Sequence, residues 1–238
     1  MSPVWVIAKR ELGSYFDSLI AYIILIAFLG FSGFFTWLYG ADVFLRKQAD
    51  MAVFFGVARW TLFFFIPALT MRQLAEEKRA GTIELLLTKA VSSQQVVVGK
   101  FLSCLLMVAI ALAFTIPYYV TIAQLGNMDH GATICGYFGL LLMSAAYISI
   151  GLFASSITSN QIVAFLLALF IGIFFQFLFD AMASGSTGFF ADLFANLSMT
   201  RHVDSITRGV IDTGDLVYFG SIIVLGLVLA EAQVAKRN

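Results

Sequence analysis

The chain has 238 residues, 61% of them hydrophobic and only 12% charged, and its 14 basic and 14 acidic side chains cancel to a formal net charge of zero. With a mean hydropathy of +0.94, this is too apolar for a soluble globule and points to a chain whose solvent is lipid. It excludes a disordered regulator, a secreted disulfide scaffold and a nucleic-acid binder that works through a basic field.

A helix crossing the roughly 30 Å hydrocarbon core needs about 20 mostly apolar residues. Six such stretches follow one another: Leu19 to Tyr39, Val57 to Met71, Phe101 to Ala123, Thr133 to Ala154, Ile162 to Phe179 and Leu216 to Ala232. The fold class read from this is an all-α polytopic membrane protein with six transmembrane helices in one domain over residues 1–238. The first stretch has no A-x-A cleavage site after it, so it reads as a retained helix rather than a signal peptide. The second is short and is completed by starting near Met51 or running on to Arg72, with Arg59 reaching back to the interface. Pro67 and Pro117 lie inside the second and third spans, where a kink is expected.

Basic residues accumulate on the cytoplasmic side of a membrane. With the N-terminus inside, Lys9, Arg10, Arg72, Lys78, Arg79, Lys89, Lys100, Lys236 and Arg237 are cytoplasmic, against Arg46, Lys47, Arg59, Arg201 and Arg208 outside. Both termini are therefore expected in the cytoplasm. Two connections are long, the cytoplasmic one at residues 72–100 and the extracytoplasmic one at 181–215. The two cysteines, Cys104 and Cys135, sit in apolar runs as small hydrophobes, and His130 and His202 have no metal-ligand spacing around them. No metal site is expected.

The long cytoplasmic loop is the most legible segment. Charges cluster at Glu76, Glu77, Lys78 and Arg79; Gly81 breaks a helix; Thr82 is placed to cap a short one carrying Ile83, Glu84, Leu85, Leu86 and Leu87. Ser92 followed by Gln95 fits a capping box that opens the next helix. By composition this is an interfacial helix dipping leucines into lipid with basic residues at the headgroups. The same short helix, held between two membrane helices, could also seat Leu85 and Leu86 in a partner's groove with Glu84 as anchor.

The stretch AEEKRAGTIELLLTKAVSSQQVVVGKF, residues 75–101, resembles the signature of the type-2 ABC transporter permeases, and similarity extends through FFIPALTMR, NQIVAF and HVDSITRGVIDTGDLVYF. Together these resemble the gliding-motility-associated subgroup. Ala90 departs from the usual proline and Leu19 from the usual Ser-Pro. The resemblance implies a six-helix subunit that works as a dimer, with itself or a close paralogue, beside two separate ATPase subunits that hold the ATP and Mg, with no cofactor on this chain. It implies an amphipathic elbow helix in residues 1–18, matched by Val4, Ile7, Ala8, Glu11 and Leu12. It places ATPase coupling on Glu76, Glu77, Gly81, Thr82, Ile83, Glu84, Leu85 and Leu86, and re-entrant helices at Phe189 to Leu197 and Arg201 to Val210. In the second of these an Asp204–Arg208 pair at i, i+4 is expected. Relatives of this kind sit in the bacterial inner membrane, and some work with a further membrane protein bearing a large extracytoplasmic domain. No nucleic-acid partner is implied.

The chain lacks a G-x-S-x-G elbow, and Gly99-Lys100 is followed by Phe101, with Gln94 where the first glycine of a P-loop would stand. It is therefore not expected to be an enzyme or to hydrolyse ATP alone. An ATP-independent secondary transporter or channel is the rival, but such proteins bury ionisable residues at the midplane, and these span interiors are nearly free of charge. An export path for an amphipathic or lipid-linked cargo is expected, with Tyr118, Tyr119 and Gln176 as candidate lining residues. Lipid surrounds the whole.

Overall fold

The computed structural model describes residues 2–38, 48–82 and 92–236. Among them every regular element is helical. In chain order these are α1 (Pro3–Asp17), α2 (Leu19–Trp37), α3 (Ala52–Thr70), α4 (Ala75–Ala80), α5 (Ser93–Ala113), α6 (Ile116–Leu125), α7 (His130–Ile157) and α8 (Gln161–Ile173). A π-helical turn at Phe174–Leu178 follows, then α9 (Phe179–Gly185), α10 (Phe189–Leu197), α11 (Met199–Thr207) and α12 (Thr213–Ala235). Six segments are long and apolar enough to cross a membrane: α2, α3 with α4, α5 with α6, α7, α8 with α9, and α12.

Polar caps explain where five of the six membrane-spanning segments begin. Ser18, Asp129, Asn160 and Asp212 each accept a backbone N–H from the first turn of α2, α7, α8 and α12, which satisfies donors the helix itself leaves orphaned. Ser92 and Gln95 form the full capping box at the start of α5, each side chain bonding the other's N–H at 3.2 Å. The second span begins at Ala52, in keeping with the start near Met51 that its apolar count required, and Arg59 lies within the helix rather than at its mouth. Pro117 does not kink a continuous third span: α5 stops at Ala113, Thr115 Oγ1 donates to Leu112 O at 2.6 Å, and Pro117 opens α6 from its first turn, the position where proline's missing N–H costs nothing.

The buried core is organised on α7, against which α3, α5, α8, α11 and α12 all pack. Lipid supplies no hydrophobic drive between helices, so close packing has to hold them. Small residues of α7 and its neighbours allow it: a Cβ on Gly151 would lie 2.8 Å from Thr70 Cβ, and one on Gly226 of α12 would lie 2.6 Å from Ser149 Oγ. Outer helices leave large apolar side chains such as Ile26, Leu166 and Val224 exposed, as lipid-facing surface requires. Helix α1 packs along the start of α5, burying Ile7, Ala8 and Tyr15 while Lys9 and Arg10 stay exposed.

Candidate functional site

At the α1 end of the bundle, α4 is clamped to three other elements. Its first turn carries Glu76 and Glu77 and its last Lys78 and Arg79, the order that complements a helix dipole. Leu74, at the N-cap position, offers no capping side chain. Ser155 of α7 does the work from across the bundle: its Oγ accepts from Leu74 N at 3.1 Å and Ala75 N at 3.0 Å and donates to Met71 O at 3.0 Å. The Lys78 ammonium donates to Ser156 O at the end of α7.

The strongest tie runs to α5. Lys100 Nζ lies 2.7 Å from Glu77 Oε1 and 3.6 Å from Glu11 Oε1 of α1, and the lysine side chain is 1% exposed. A charge buried so deeply is tolerable only when paired. Glu11 also receives Arg10 at 2.5 Å. Beside this triad Gln73 Nε2 donates to Tyr15 Oη, which also contacts Cys104 Sγ at 3.3 Å. Burial, with Cys104 next, pushes the Tyr15 phenol well above its ordinary value, so it stays a neutral hydrogen-bonding group. Arg72 and Glu76 form a two-bond fork at 3.0 and 3.2 Å on the outer surface. Glu11, Tyr15, Arg72, Gln73, Glu76, Glu77 and Lys100 line a cavity of about 290 Å³.

Gly81 ends α4 in the left-handed region, at φ 68°, a conformation that glycine adopts without a Cβ penalty. Thr82 N donates to Glu77 O at 3.0 Å. Of the candidate coupling residues, Glu76, Glu77, Gly81 and Thr82 thus converge on one structure; Ile83, Glu84, Leu85 and Leu86 lie outside the described residues. The chain returns at the Ser92 cap of α5, eight residues before Lys100, or about 12 Å at the helical rise. Both ends of the intervening segment are therefore anchored to helices that the Glu77–Lys100 pair joins.

The three candidate path residues do not come together. Tyr118 Oη donates to Leu29 O at 3.1 Å, fastening α6 to α2. Tyr119 Oη contacts His130 Nδ1 at 2.9 Å on an exposed surface. Gln176 is buried in the π turn, where Tyr147 Oη donates to its Oε1 at 2.7 Å and Thr200 Oγ1 to its backbone oxygen at 2.7 Å. A groove of about 740 Å³ between α2 and α3 is walled instead by Phe31, Phe35, Trp60 and Phe64.

At the opposite end α11 acts as a keystone. Met199, Val203 and Ile206 are buried and α11 packs on α7, while Thr200 reaches the π turn, His202 reaches Asp215 of α12 and Asp204 reaches Arg59 of α3 at 2.7 Å. The expected Asp204–Arg208 pair is therefore replaced. Arg59 is largely buried in a membrane span and needs a counter-ion; Arg208, past the end of α11, is exposed. Among the described residues there is no group of three or more His, Cys, Asp or Glu that could hold a metal. Lys100 and Ser155 were not among the sequence candidates, although a lysine between Gly99 and Phe101 in an apolar run was a visible signal.

Residues 45–207 match the family model described as ABC-2 family transporter protein. The matched stretch spans α3 through α11 and includes α4 and the Glu77–Lys100 pair. No curated protein gives a significant match.

Proposed function

Because the chain belongs to the ABC-2 family of transporter proteins and is a membrane permease of an ABC transporter, we propose that it drives export by coupling its helices to a separate dimer of ATPase subunits. In this reading ATP and Mg belong to the partner. ATP binding closes the ATPase dimer, residues 83–87 receive that motion, and α4 passes it to the bundle. The observation that carries the reading is the Glu77–Lys100 pair: together with the Ser155 cap, it ties α4 directly to α5 and α7.

The permease works as a dimer, with itself or a close paralogue, in a bacterial inner membrane with both termini cytoplasmic. The distribution of basic residues supports that orientation. An amphipathic or lipid-linked cargo fits the aromatic groove between α2 and α3, and with Tyr118 and Gln176 engaged in packing, Tyr119 is the path candidate left at a surface. An auxiliary membrane protein with a large extracytoplasmic domain, and service to a gliding apparatus, follow the subgroup resemblance of the sequence.

Co-purification in mild detergent tests the proposal. An ATPase subunit in the complex, lost in the double variant Glu84→Lys, Leu86→Asp while membrane insertion is intact, is the expected result. An ATPase-free protein that carries out ion-gradient-driven flux, or unchanged assembly and transport in the double variant, overturns it.

A further inference from the structure

His202 sits at the junction of α10, α11 and α12 with both ring nitrogens facing acceptors. Nδ1 lies 2.6 Å from Asp215 Oδ1 and Nε2 lies 3.0 Å from the backbone oxygen of Asn196. Against an ionised Asp215 carboxylate, a neutral imidazole has one N–H and can serve only one of the two; the other contact then sets a bare lone pair against an oxygen. Only the imidazolium donates to both. Its ring also stacks on Tyr218, with centroids 4.0 Å apart and planes at 19°, an arrangement that favours a cation over the aromatic face. Asp215 Oδ2 is buried without a hydrogen-bond partner, so the imidazolium and the N-terminus of α12 are what offset its charge.

The contact with Asn196 fixes one end of α10. This helix packs along α9, with Phe194 stacked on Phe179, yet has no buried residue, and Phe189, Phe190 and Leu193 are exposed. At its C-terminal end, Asn196 O is held by His202 and Leu197 O by the Tyr218 hydroxyl at 2.7 Å. Most other titratable groups on the surrounding elements are already engaged. Asp180 pairs with Arg201 and Arg59 with Asp204; His130 bonds Tyr119; Asp129 and Asp212 cap α7 and α12. Asp192 belongs to α10 itself and Arg208 lies exposed beyond α11.

We propose that His202 is a proton-operated clamp on α10, closed when both ring nitrogens carry protons. The sign follows from the chemistry: a clamp that needs the cation is present at low pH and lost as pH rises. The remaining proton then stays on Nδ1, where the carboxylate holds it, and the contact with Asn196 is the one that breaks. The pH of the compartment that α10 faces thereby sets how firmly this amphipathic helix is docked.

The chain contains two histidines, so isotope labelling of imidazole nitrogens, with His130→Gln as the assignment variant, isolates His202 in the full chain in lipid nanodiscs. Between about pH 5 and about pH 9, the expected result is an imidazolium that converts to the Nδ1–H tautomer. Over the same step, after correction for intrinsic rates, hydrogen exchange of α10 amides rises at least tenfold. In His202→Gln the α10 exchange no longer follows that step. A His202 that is neutral throughout, an Nε2–H tautomer after titration, or α10 protection that stays constant while His202 titrates overturns the proposal. The wild-type measurements need neither the variant's folding nor the ATPase partner.

Discussion

Lys100 and Glu77, 23 positions apart, meet at 2.7 Å with the lysine almost wholly buried, and Glu11 approaches the same ammonium at 3.6 Å. One cation thereby joins the helix before the first span, the short helix that ends the second and the start of the third. Removing only the cation strands Glu77, while Glu11 keeps Arg10. Lys100→Met is expected to destabilise the protein by about 3–5 kcal/mol, whereas Lys100→Met with Glu77→Leu recovers much of the loss. Thermal unfolding of both variants in the same detergent gives the comparison, and a double variant no better than the single would remove the pair from its role.

This relationship also marks where sequence reasoning stopped. Local signals were legible because their partners are near in the chain: the Ser92–Gln95 capping box, the Gly81 break and the apolar spans all follow from neighbours within about one turn. Lys100 with Glu77, Ser155 with Leu74 and Asp204 with Arg59 are separated by 23, 81 and 145 positions, and no periodicity encodes such meetings. Asp204 is the instructive case. The helical spacing to Arg208 was a sound local expectation, but Arg208 has φ −78° and ψ 0° past the last turn, and the largely buried Arg59 has the stronger need for a carboxylate. The π turn around Gln176 was invisible for the same reason: its distinctive bonds come from Tyr147 and Thr200 on other helices.

Close helix contact at the centre of the bundle makes a second prediction. A Cβ at Gly151 would collide with Thr70 of α3, while one at Gly220 of α12 would meet nothing within 4 Å. Gly151→Ala is expected to destabilise the protein by about 1–3 kcal/mol, and Gly220→Ala to change stability by no more than about 1 kcal/mol in either direction. Equal melting temperatures for the two variants would contradict the packing.

Gln176 and Tyr147 offer a third test, because their bond is buried and fastens the π turn to α7. Tyr147→Phe removes the donor and leaves the amide oxygen unmatched, at a cost of about 1–3 kcal/mol. In Tyr147→Phe with Gln176→Leu the combined loss should be smaller than the sum of the two singles. Strict additivity in the double-mutant cycle would show that the pair does not act as a unit.

Binding an ATPase and transmitting its motion can be separated. Residues 83–87 are proposed as the contact, whereas Ser155 touches only the chain itself, capping Leu74 and Ala75 and bonding Met71. Ser155→Ala leaves two helix N–H groups without their acceptor and loosens α4 from α7 by about 1–2 kcal/mol, without altering any surface a partner would grip. The expected phenotype is an intact complex, with ATPase activity that no longer tracks transport. Glu84→Lys with Leu86→Asp should instead lose the partner altogether. Pull-down and ATP turnover measured on the two variants in parallel distinguish these outcomes; loss of the partner in Ser155→Ala, or full transport in it, would mean that α4 is not the transmitting element. Retention of the partner with unchanged transport in the double variant would overturn the coupling role of residues 83–87, while leaving the clamp around Lys100 to be judged by its own cycle.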